Sequence, residues 1–279
     1  MKLLAMTCCC VDVFVNSGAL LPGGNALNVC ADWAIQRNQI LRNSPAQAQA
    51  CDIALLGAIG EDVCGQAIRD ALAPLAIDTS HLHTIDDITA NHRICIDPSG
   101  ERYFEPEAWT GGAYESFQLS VEDELFIQKA DTVAITFNDP NLPRVLALRR
   151  QSAFRLAVDF QDAWEPDEWA PWLDAIDVFF ISGTPENEPM LSAWSGQHPY
   201  KDFIATRGAS GSVLYRNGAA HVQEAVAVPV VVDTTGCGDA WLAGYLMASQ
   251  AGADLREATQ AGAEAAAVVI GHVGGFKLP

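Results

Sequence analysis

Positive charge is scarce in this chain of 279 residues: 16 lysines and arginines stand against 35 aspartates and glutamates, giving a formal net charge of −19. Such an acidic surface repels phosphodiester backbones and anionic lipid headgroups, which argues against nucleic acid and membrane surfaces as partners. No apolar run is long enough to cross a bilayer, and no apolar leader with a cleavage site follows Met1. These absences predict a cytoplasmic protein.

Paired metal-type spacing is also missing among the eight cysteines, at positions 8, 9, 10, 30, 51, 64, 95 and 237. Cys8, Cys9 and Cys10 are consecutive, so in a strand their side chains would point to alternating faces, which disfavours a chelating cluster. We expect buried strand thiols in a reducing compartment. The chain also lacks internal repeats, which argues against a solenoid.

What is present indicates a globular enzyme-sized chain, 49% hydrophobic and 18% charged. The length suits one α/β domain with an appendage, or two small domains. Apolar segments alternate with helical ones nearly throughout, and residues 131–137 and 177–182 are apolar on both faces, as in a sheet that is covered on both sides. We therefore predict an α/β fold, a three-layer sandwich around a mostly parallel central sheet.

The predicted strands cover residues 2–15, 52–57, 131–137, 154–160, 177–182, 202–206, 212–216 and 226–232. The predicted helices cover residues 25–36, 65–76, 140–151, 187–195, 236–250 and 255–270.

Two regions interrupt this alternation. Residues 88–104 are predicted to form a hairpin with its turn at 97–100. With the strand near 12–15 it would make a small β lid, contributed by about residues 10–18 and 88–110. Residues 38–50, rich in Asn, Gln, Ser and Ala, are predicted to be a surface loop.

The most informative motif runs from Asp233 to Asp239, where an apolar stretch meets a glycine-rich turn and then a helix. Glycines allow backbone amides to converge on an anion, and the helix N-terminus adds partial positive charge. A carboxylate repels a bound anion, so its presence in this turn indicates a chemical role. Asp239 is therefore predicted to deprotonate a hydroxyl that attacks the bound anionic group. For this motif alone, a strand-to-helix connection with an N-capping Asp is the alternative.

Three further segments are rich in glycine and small polar residues. Residues 23–29 place two asparagines on the first turn of a helix, which suits a polyol, although an Asn-capped helix looks the same. Residues 57–65 carry GxxGxDxxG, whose spacing indicates a tight turn at the sheet edge rather than a dinucleotide site. At 206–211, Thr206 and Arg207 are placed to reach phosphate oxygens, unless the glycines form only a β-turn.

Together with Asp12, these segments resemble, in order and spacing, the ribokinase-like (PfkB) carbohydrate kinase family over essentially the whole chain. Within that family the chain is most similar to the fructoselysine 6-kinase branch, through the run at 23–29 and residues 77–83, 157–164 and 271–275. The resemblance implies a single domain spanning 1–279, with the lid over the site.

The resemblance also implies roles for individual residues. Asp239 is similar to the catalytic base, and the anion hole falls at Thr235, Gly236, Cys237 and Gly238. The positions similar to sugar-holding residues are Asp12, Gly24, Asn25 and Asn28. The nucleotide site falls at Thr206, Gly208 and Gly211, with residues 266–272, including His272, near adenine. Such kinases use ATP with Mg²⁺, often with a monovalent cation such as K⁺, whose ligands would fall at Asp233 and Thr235.

The chain departs from the family pattern in places. Cys237 replaces the usual alanine, but activity should survive because the backbone amide does the work. Thr7 and Cys8 stand where many relatives have Gly-Asp, which affects the sugar contacts beneath Asp12. The NxxE element that helps place magnesium-bound water lacks its asparagine, and its glutamate is assigned to Glu186, with Glu188 second.

We therefore expect an ATP-dependent kinase for a small sugar, with a fructosamine such as fructoselysine, phosphorylated at the 6-hydroxyl, as the preferred substrate. A free ketose, ribose or a nucleoside is the alternative within the family. A non-catalytic sugar or nucleotide sensor is the competing class, which the altered NxxE element favours and the intact 233–239 motif opposes. The edge of the lid also suggests a homodimer through paired lid strands.

Overall fold

The computed structural model describes residues 1–43, 51–96 and 102–277. The predicted turn at 97–100 and the part of the predicted loop from 44 to 50 lie outside the described residues. Its strands are β1 (Lys2–Thr7), β2 (Cys10–Phe14), β3 (Ala19–Gly23), β4 (Asp52–Ile59), β5 (Asp78–Thr84), β6 (Asn91–Ile96), β7 (Arg102–Thr110), β8 (Thr132–Thr136), β9 (Arg155–Asp159), β10 (Val178–Ser182), β11 (Asp202–Thr206), β12 (Ser212–Arg216) and β13 (Ala219–Gln223).

The α-helices are α1 (Asn25–Asn43), α2 (Val63–Leu72), α3 (Gly112–Ser116), α4 (Val121–Ile127), α5 (Leu142–Arg149), α6 (Pro166–Trp169), α7 (Glu188–Gln197), α8 (Cys237–Gln250) and α9 (Leu255–Val269). None of these helices, within the described ranges, combines the length and the apolar character that a bilayer crossing requires.

The main sheet has nine strands in the order β13-β12-β11-β10-β9-β8-β1-β4-β5. All neighbours from β11 to β5 are parallel, whereas β12 and β13 are antiparallel. Side chains alternate between two cores: Leu3 and Ala5 pack with α1, α2 and α8, whereas Leu4 and Met6 pack with α5 and α7. This arrangement confirms the predicted three-layer α/β sandwich, in which the carboxyl ends of the parallel strands share one edge.

A second sheet of four strands, β3-β2-β6-β7, forms the lid. The predicted hairpin is present as β6 and β7, and β2 pairs with β6 in parallel. The sequence did not predict β3, which returns antiparallel to β2 after the turn at residues 15–18.

The prediction of one continuous strand over 2–15 was wrong, because the chain leaves the main sheet after Thr7 and enters the lid at Cys10. The carbonyl of Cys8 accepts a hydrogen bond from the Ala26 amide instead of from a neighbouring strand. Gly24 makes this approach possible: its φ is +94°, and a Cβ there would lie 2.6 Å from the Cys8 oxygen.

The prediction of a strand at 226–232 was also wrong, since these residues form no strand. Pro229 has no N–H to donate to a ladder, and β13 already pairs with β12. The predicted loop at 38–50 begins instead as helix, because α1 continues to Asn43. The Arg37 guanidinium supports this extension by donating to the carbonyls of Cys51, Leu75 and Ala76.

Candidate active site

Asp239 lies in the first turn of α8, at the edge of the sheet where the parallel strands end. Asp239 is 7% exposed. Both of its carboxylate oxygens accept hydrogen bonds from side-chain amides of α1. The Asn25 Nδ2 donates to Oδ1 at 2.9 Å, and the Asn28 Nδ2 donates to Oδ2 at 2.8 Å. The two asparagines of the 23–29 motif therefore hold the predicted base in one orientation.

A second carboxylate, Asp159 at the end of β9, lies beside this group. The Asn25 Nδ2 also approaches Asp159 Oδ2 at 3.3 Å, and the Asn25 Oδ1 accepts from Gln161 Nε2 at 3.2 Å. Asp159 Oδ1 accepts from the Gln161 backbone amide at 2.8 Å. One asparagine amide thus contacts two carboxylates, and both acids are buried.

Burial raises the pKa of both acids. The pKa of Asp239 rises to about 6, against the opposing effect of the hydrogen bonds from Asn28 and Asn25. The pKa of Asp159 rises to about 7, first through burial and then through the charge of Asp239. A carboxylate with a pKa close to neutrality can both exist as the anion and bind a proton during a reaction.

The turn before α8 needs glycine at Gly236, whose φ is +76°. A Cβ at this position would lie 2.4 Å from the Cα of Gly275, so the turn and the C-terminal segment are packed backbone to backbone. The first amides of a helix have no intrahelical acceptor, and here they belong to Cys237, Gly238 and Asp239. The Cys237 amide already donates to the Thr234 carbonyl at 3.2 Å, which leaves the amides of Gly238 and Asp239 for an anion. Gly238 is exposed, so an anion can reach this end of the helix.

A cavity of about 580 Å³ opens between α8, α9 and the segment after β13. It is here called the nucleotide cavity because most of the residues predicted to bind a nucleotide line it. The predicted residues Thr206, Gly208, Gly211, Cys237 and Gly238 all line it. The remaining lining is mostly small and apolar, from residues 225–228 and from α9, and includes Val226, Val228, Val231, Ala263, Ala266, Ala267 and Ile270. Its size and apolar walls suit an aromatic base.

A smaller cavity of about 190 Å³, here called the acceptor cleft, adjoins it. Its lining comprises Asn25, Asp159, Gln161, Phe180, Ser182, Thr206, Gly236, Gly238 and Asp239. Thr206 and Gly238 line both spaces, so the two spaces meet at the start of α8. The acceptor cleft is therefore where a hydroxyl can face both the Asp239 carboxylate and the amides of the turn.

Other predicted site residues lie outside the lining of these two spaces. Asp12 lies in lid strand β2, with Leu21 and His92 as its strand neighbours. His272 contacts the carbonyl of Val273, whereas Ile270, two residues earlier, lines the nucleotide cavity. Gly24 packs against the backbone of Cys8 beneath the lid.

The GxxGxDxxG motif anchors the lid, as its predicted turn requires. Asp62 caps α2 by accepting from the Gly65 amide at 2.7 Å, and it accepts from both the amide and the hydroxyl of Thr89. The Gly60 amide donates to the same hydroxyl at 2.9 Å. Thr89 lies two residues before β6, so this turn fixes where the lid leaves the main sheet.

The two glutamates considered as magnesium ligands, Glu186 and Glu188, have different surroundings. Glu188 accepts from the Arg207 guanidinium and, at 2.9 Å, from the Tyr215 hydroxyl. The hydrogen bond from Arg207 lowers the pKa of Glu188 despite its partial burial. Arg207, which was expected to reach phosphate oxygens, is thus paired with Glu188. Glu186, by contrast, is exposed in the loop after β10.

The Asp233 carboxylate joins two loops. Its Oδ1 accepts from the amide and the hydroxyl of Thr235, at 3.0 and 2.7 Å. Its Oδ2 accepts from the Gly274 amide at 3.0 Å. Asp233 and Thr235 are therefore adjacent, as expected, and they brace the turn of α8 against the C-terminal segment.

Sequence reasoning missed Asp159 and Gln161 as site residues, and it missed the apolar wall of the nucleotide cavity. The available signal for Asp159 was its place at the carboxyl end of a buried strand, where ligands bind in open α/β sheets. The apolar wall had no local signal, because the valines of 226–232 looked like a strand.

The chain and its fold both match known proteins. The pfkB family carbohydrate kinase model matches residues 15–277. The chain is 28% identical to the fructoselysine 6-kinase of Escherichia coli (strain K12), over 96% of each chain. It is 25% identical to the fructosamine kinase FrlD of Bacillus subtilis (strain 168), over 99% of this chain and 93% of that one.

The fold is similar to that of the Arabidopsis thaliana ribokinase complexed with ribose and ATP, with a TM-score of 0.76 at 20% identity, over 98% of this chain and 93% of that one. The ribokinase of Cryptococcus neoformans var. grubii in complex with ADP gives the same TM-score at 17% identity, over 98% and 95%. Since the family match extends over nearly the whole length, this chain belongs to the pfkB family of carbohydrate kinases.

Proposed function

We propose that this protein transfers the γ-phosphoryl group of ATP to a hydroxyl of a fructosamine-type sugar such as fructoselysine, at the 6-position. One observation carries the proposal: Gly238 lines both the nucleotide cavity and the acceptor cleft, and the buried carboxylate of Asp239 follows it directly. An anion-binding turn and a base are therefore adjacent at the junction of the two spaces.

In this mechanism the residues of the chain act mainly by positioning. The amides at the start of α8 hold the charge of the moving phosphoryl group, while Asp239 orients the attacking hydroxyl and accepts its proton. Asn25 and Asn28 keep the carboxylate in place by donating to its two oxygens. The lid, anchored through Thr89, covers the acceptor and excludes water, which would otherwise compete for the phosphoryl group.

Magnesium bound to the nucleotide would neutralise phosphate charge. The exposed carboxylate of Glu186 fits this ion through its water shell, because Mg²⁺ keeps several waters and prefers carboxylate oxygen. Glu188 does not fit, since Arg207 and Tyr215 occupy it. For a monovalent cation, Asp233 and Thr235 supply oxygen atoms beside the turn that they brace.

The charge of the acceptor cleft supports an amine-bearing substrate. Its described lining contains two carboxylates, Asp159 and Asp239, and neither lysine nor arginine. A fructosamine carries a basic nitrogen next to its sugar ring, so a negative cleft would favour it over an uncharged ketose. The similarity to fructoselysine 6-kinase and to fructosamine kinase FrlD supports the same substrate class.

A coupled ADP-release assay over fructoselysine, fructose, ribose, glucose and adenosine tests this proposal. We expect kcat/KM for fructoselysine to exceed that for fructose by at least about 10-fold, and phosphorus NMR of the product to identify a 6-phosphate. Asp159→Asn should reduce this preference by raising KM for fructoselysine more than for fructose. Equal kcat/KM for both sugars would refute the fructosamine assignment, and binding of sugar without turnover would indicate a sensor.

A further inference from the structure

Two imidazoles and one carboxylate converge on the far edge of the main sheet. On β5, His81 Nδ1 lies 2.6 Å and His83 Nε2 lies 2.8 Å from the same oxygen, Oδ1 of Asp123 on α4. The three atoms lie within 4.8 Å of one another. None of the three residues lines the nucleotide cavity or the acceptor cleft.

The backbone places these groups together without help from a ligand. Residues two apart on a strand share one face, so the His-x-His spacing of β5 points both rings toward α4. His81 stacks on Phe126 with ring centroids 3.9 Å apart, and His83 stacks on Phe117 at 5.2 Å. Stacking on these aromatic rings therefore restricts the orientation of both imidazoles.

The carboxylate is held just as firmly. Asp123 Oδ2 accepts from the amide and the hydroxyl of Ser120, at 2.9 and 2.8 Å, which leaves Oδ1 for the imidazoles. The Asp123 side chain is 1% exposed. Burial alone would raise its pKa, but the hydrogen bonds from His81, from the Ser120 backbone and from His83 outweigh burial and lower the pKa to about 2. Asp123 is thus an ionised, oriented oxygen donor.

We propose that His81, His83 and Asp123 bind a divalent transition-metal ion of the zinc class, which fastens the edge strand β5 to α4. Two imidazole nitrogens and one carboxylate oxygen are ligands that Zn²⁺ takes in proteins. The hydrogen bonds from Ser120 fix the carboxylate as the partners of metal ligands usually do. On binding the ion, each neutral ring takes the tautomer that carries its single proton on the nitrogen facing away from Asp123, so that the nitrogen facing the carboxylate is free to bind the metal.

The geometry accepts an ion after a small expansion. With metal–ligand distances of roughly 2.0–2.2 Å in a tetrahedral site, neighbouring ligand atoms lie roughly 3.3 Å apart. Relative to Asp123 Oδ1, the His81 Nδ1 therefore has to move away by about 0.7 Å and the His83 Nε2 by about 0.5 Å. The His83 side chain is 35% exposed, so an ion can enter from solvent and keep water as its fourth ligand.

The test is titration of the reduced, full-length protein with Co²⁺ and with Zn²⁺, followed by calorimetry and visible absorption. We expect about one equivalent of Co²⁺ with d–d bands of nitrogen and oxygen ligation, and a higher Tm with Zn²⁺ than with EDTA. His83→Gln should raise the Kd by at least about 10-fold and abolish the Tm shift. His81→Gln should do the same, and circular dichroism checks that both variants are folded.

His198→Gln is the matched control, because it removes another partly exposed imidazole near a phenylalanine, outside the cluster. It should bind the ion as wild type does. An unchanged Kd in both His81→Gln and His83→Gln, a thiolate-to-cobalt charge-transfer band, or no binding by the folded wild type would each overturn the proposal. Because kinase activity is not a readout, this result is independent of the proposed function.

Discussion

At the scale of single residues, the site depends on the Asp239 carboxylate. Asp239→Asn preserves volume but removes the proton acceptor, so we expect kcat to fall by about 10²–10⁴-fold. The nucleotide cavity is untouched, so the Kd for ATP, measured by calorimetry, should stay within about twofold.

Asp167→Asn, an exposed carboxylate on α6, is the control and should keep wild-type kcat. Substantial turnover by Asp239→Asn would mean that another group accepts the proton.

The pH dependence follows from the same carboxylate. Because the pKa of Asp239 is raised to about 6, protonation removes the base as the pH falls, and kcat/KM should decline below about pH 6. Asp159, with a pKa of about 7, is already protonated over most of this range, so Asp159→Asn removes little negative charge and should leave the midpoint of the acidic limb nearly unchanged.

A pH–rate profile of wild type and Asp159→Asn measures both effects. An acidic limb at the ordinary aspartate pKa in wild type would contradict the role given to burial. A midpoint that moves to lower pH in Asp159→Asn would mean that Asp159 is ionised while Asp239 titrates.

At the scale of elements, the turn into α8 is the most constrained feature. Gly236→Ala would strain a positive φ and push a Cβ against Gly275, which displaces the amides at the start of the helix. Gly252→Ala is the matched control, because its φ is +92° but nothing lies within 4 Å of the added Cβ.

Both variants should lose about 1–2 kcal/mol of unfolding free energy through φ alone. Gly236→Ala should lose more, and only Gly236→Ala should lose kcat. Chemical denaturation and steady-state kinetics measure the two quantities. Equal losses in both variants would show that the contact with Gly275 is unimportant.

The Asp62 carboxylate anchors the lid where it leaves the main sheet. Asp62→Ala removes the cap of α2 and the two hydrogen bonds from Thr89, so β6 should lose hydrogen-exchange protection and the sugar KM should rise. Asp254→Ala removes a similar N-cap from α9, so it should lower the unfolding free energy by a comparable amount, about 1 kcal/mol, with no change in KM. If KM rises equally in both variants, general destabilisation explains the effect rather than the lid.

These elements also show what the sequence can predict. The turn and helix at 233–250 were predictable because the glycines, the acid and the apolar helix face are all local in the chain. β5 was missed because it is a partly exposed edge strand with many polar residues, and β13 because it is a short, partly exposed edge strand that lacks an apolar run. The valines at 226–232 led to the wrong prediction of a strand, because apolar residues that line a cavity have the same composition as a buried strand.

At the scale of the whole molecule, the parallel sheet brings distant segments to one edge. Asn25 follows the lid strand β3, Asp159 ends β9 and Asp239 begins α8, yet the three meet within hydrogen-bond distance. The family resemblance predicted Asn25 and Asp239 through their motifs. No motif marked Asp159 as part of the site, so only the assembled sheet shows that two acids share one amide.

The buried acids make stability depend on pH for the molecule as a whole. Burial raises the pKa of Asp139 and Asp159 to about 7, that of Asp239 to about 6, and that of Asp32 well above its ordinary value. The folded state therefore holds more protons than the unfolded state at mildly acidic pH. Hence the contribution of these acids to the unfolding free energy is greatest below about pH 4, the ordinary aspartate pKa, and is lost as the pH rises from there to about 7, where the folded carboxylates ionise.

We expect Tm to be higher at about pH 5.5 than at about pH 8, and the difference to persist in high salt, because salt screens surface repulsion but not burial. Asp159→Asn keeps the hydrogen bond from the Gln161 amide and cannot become charged, so it should raise Tm at the higher pH and flatten the slope. Calorimetry across this range, with Asp167→Asn as control, measures the effect. A Tm that rises with pH would show that the folded protein keeps these carboxylates ionised.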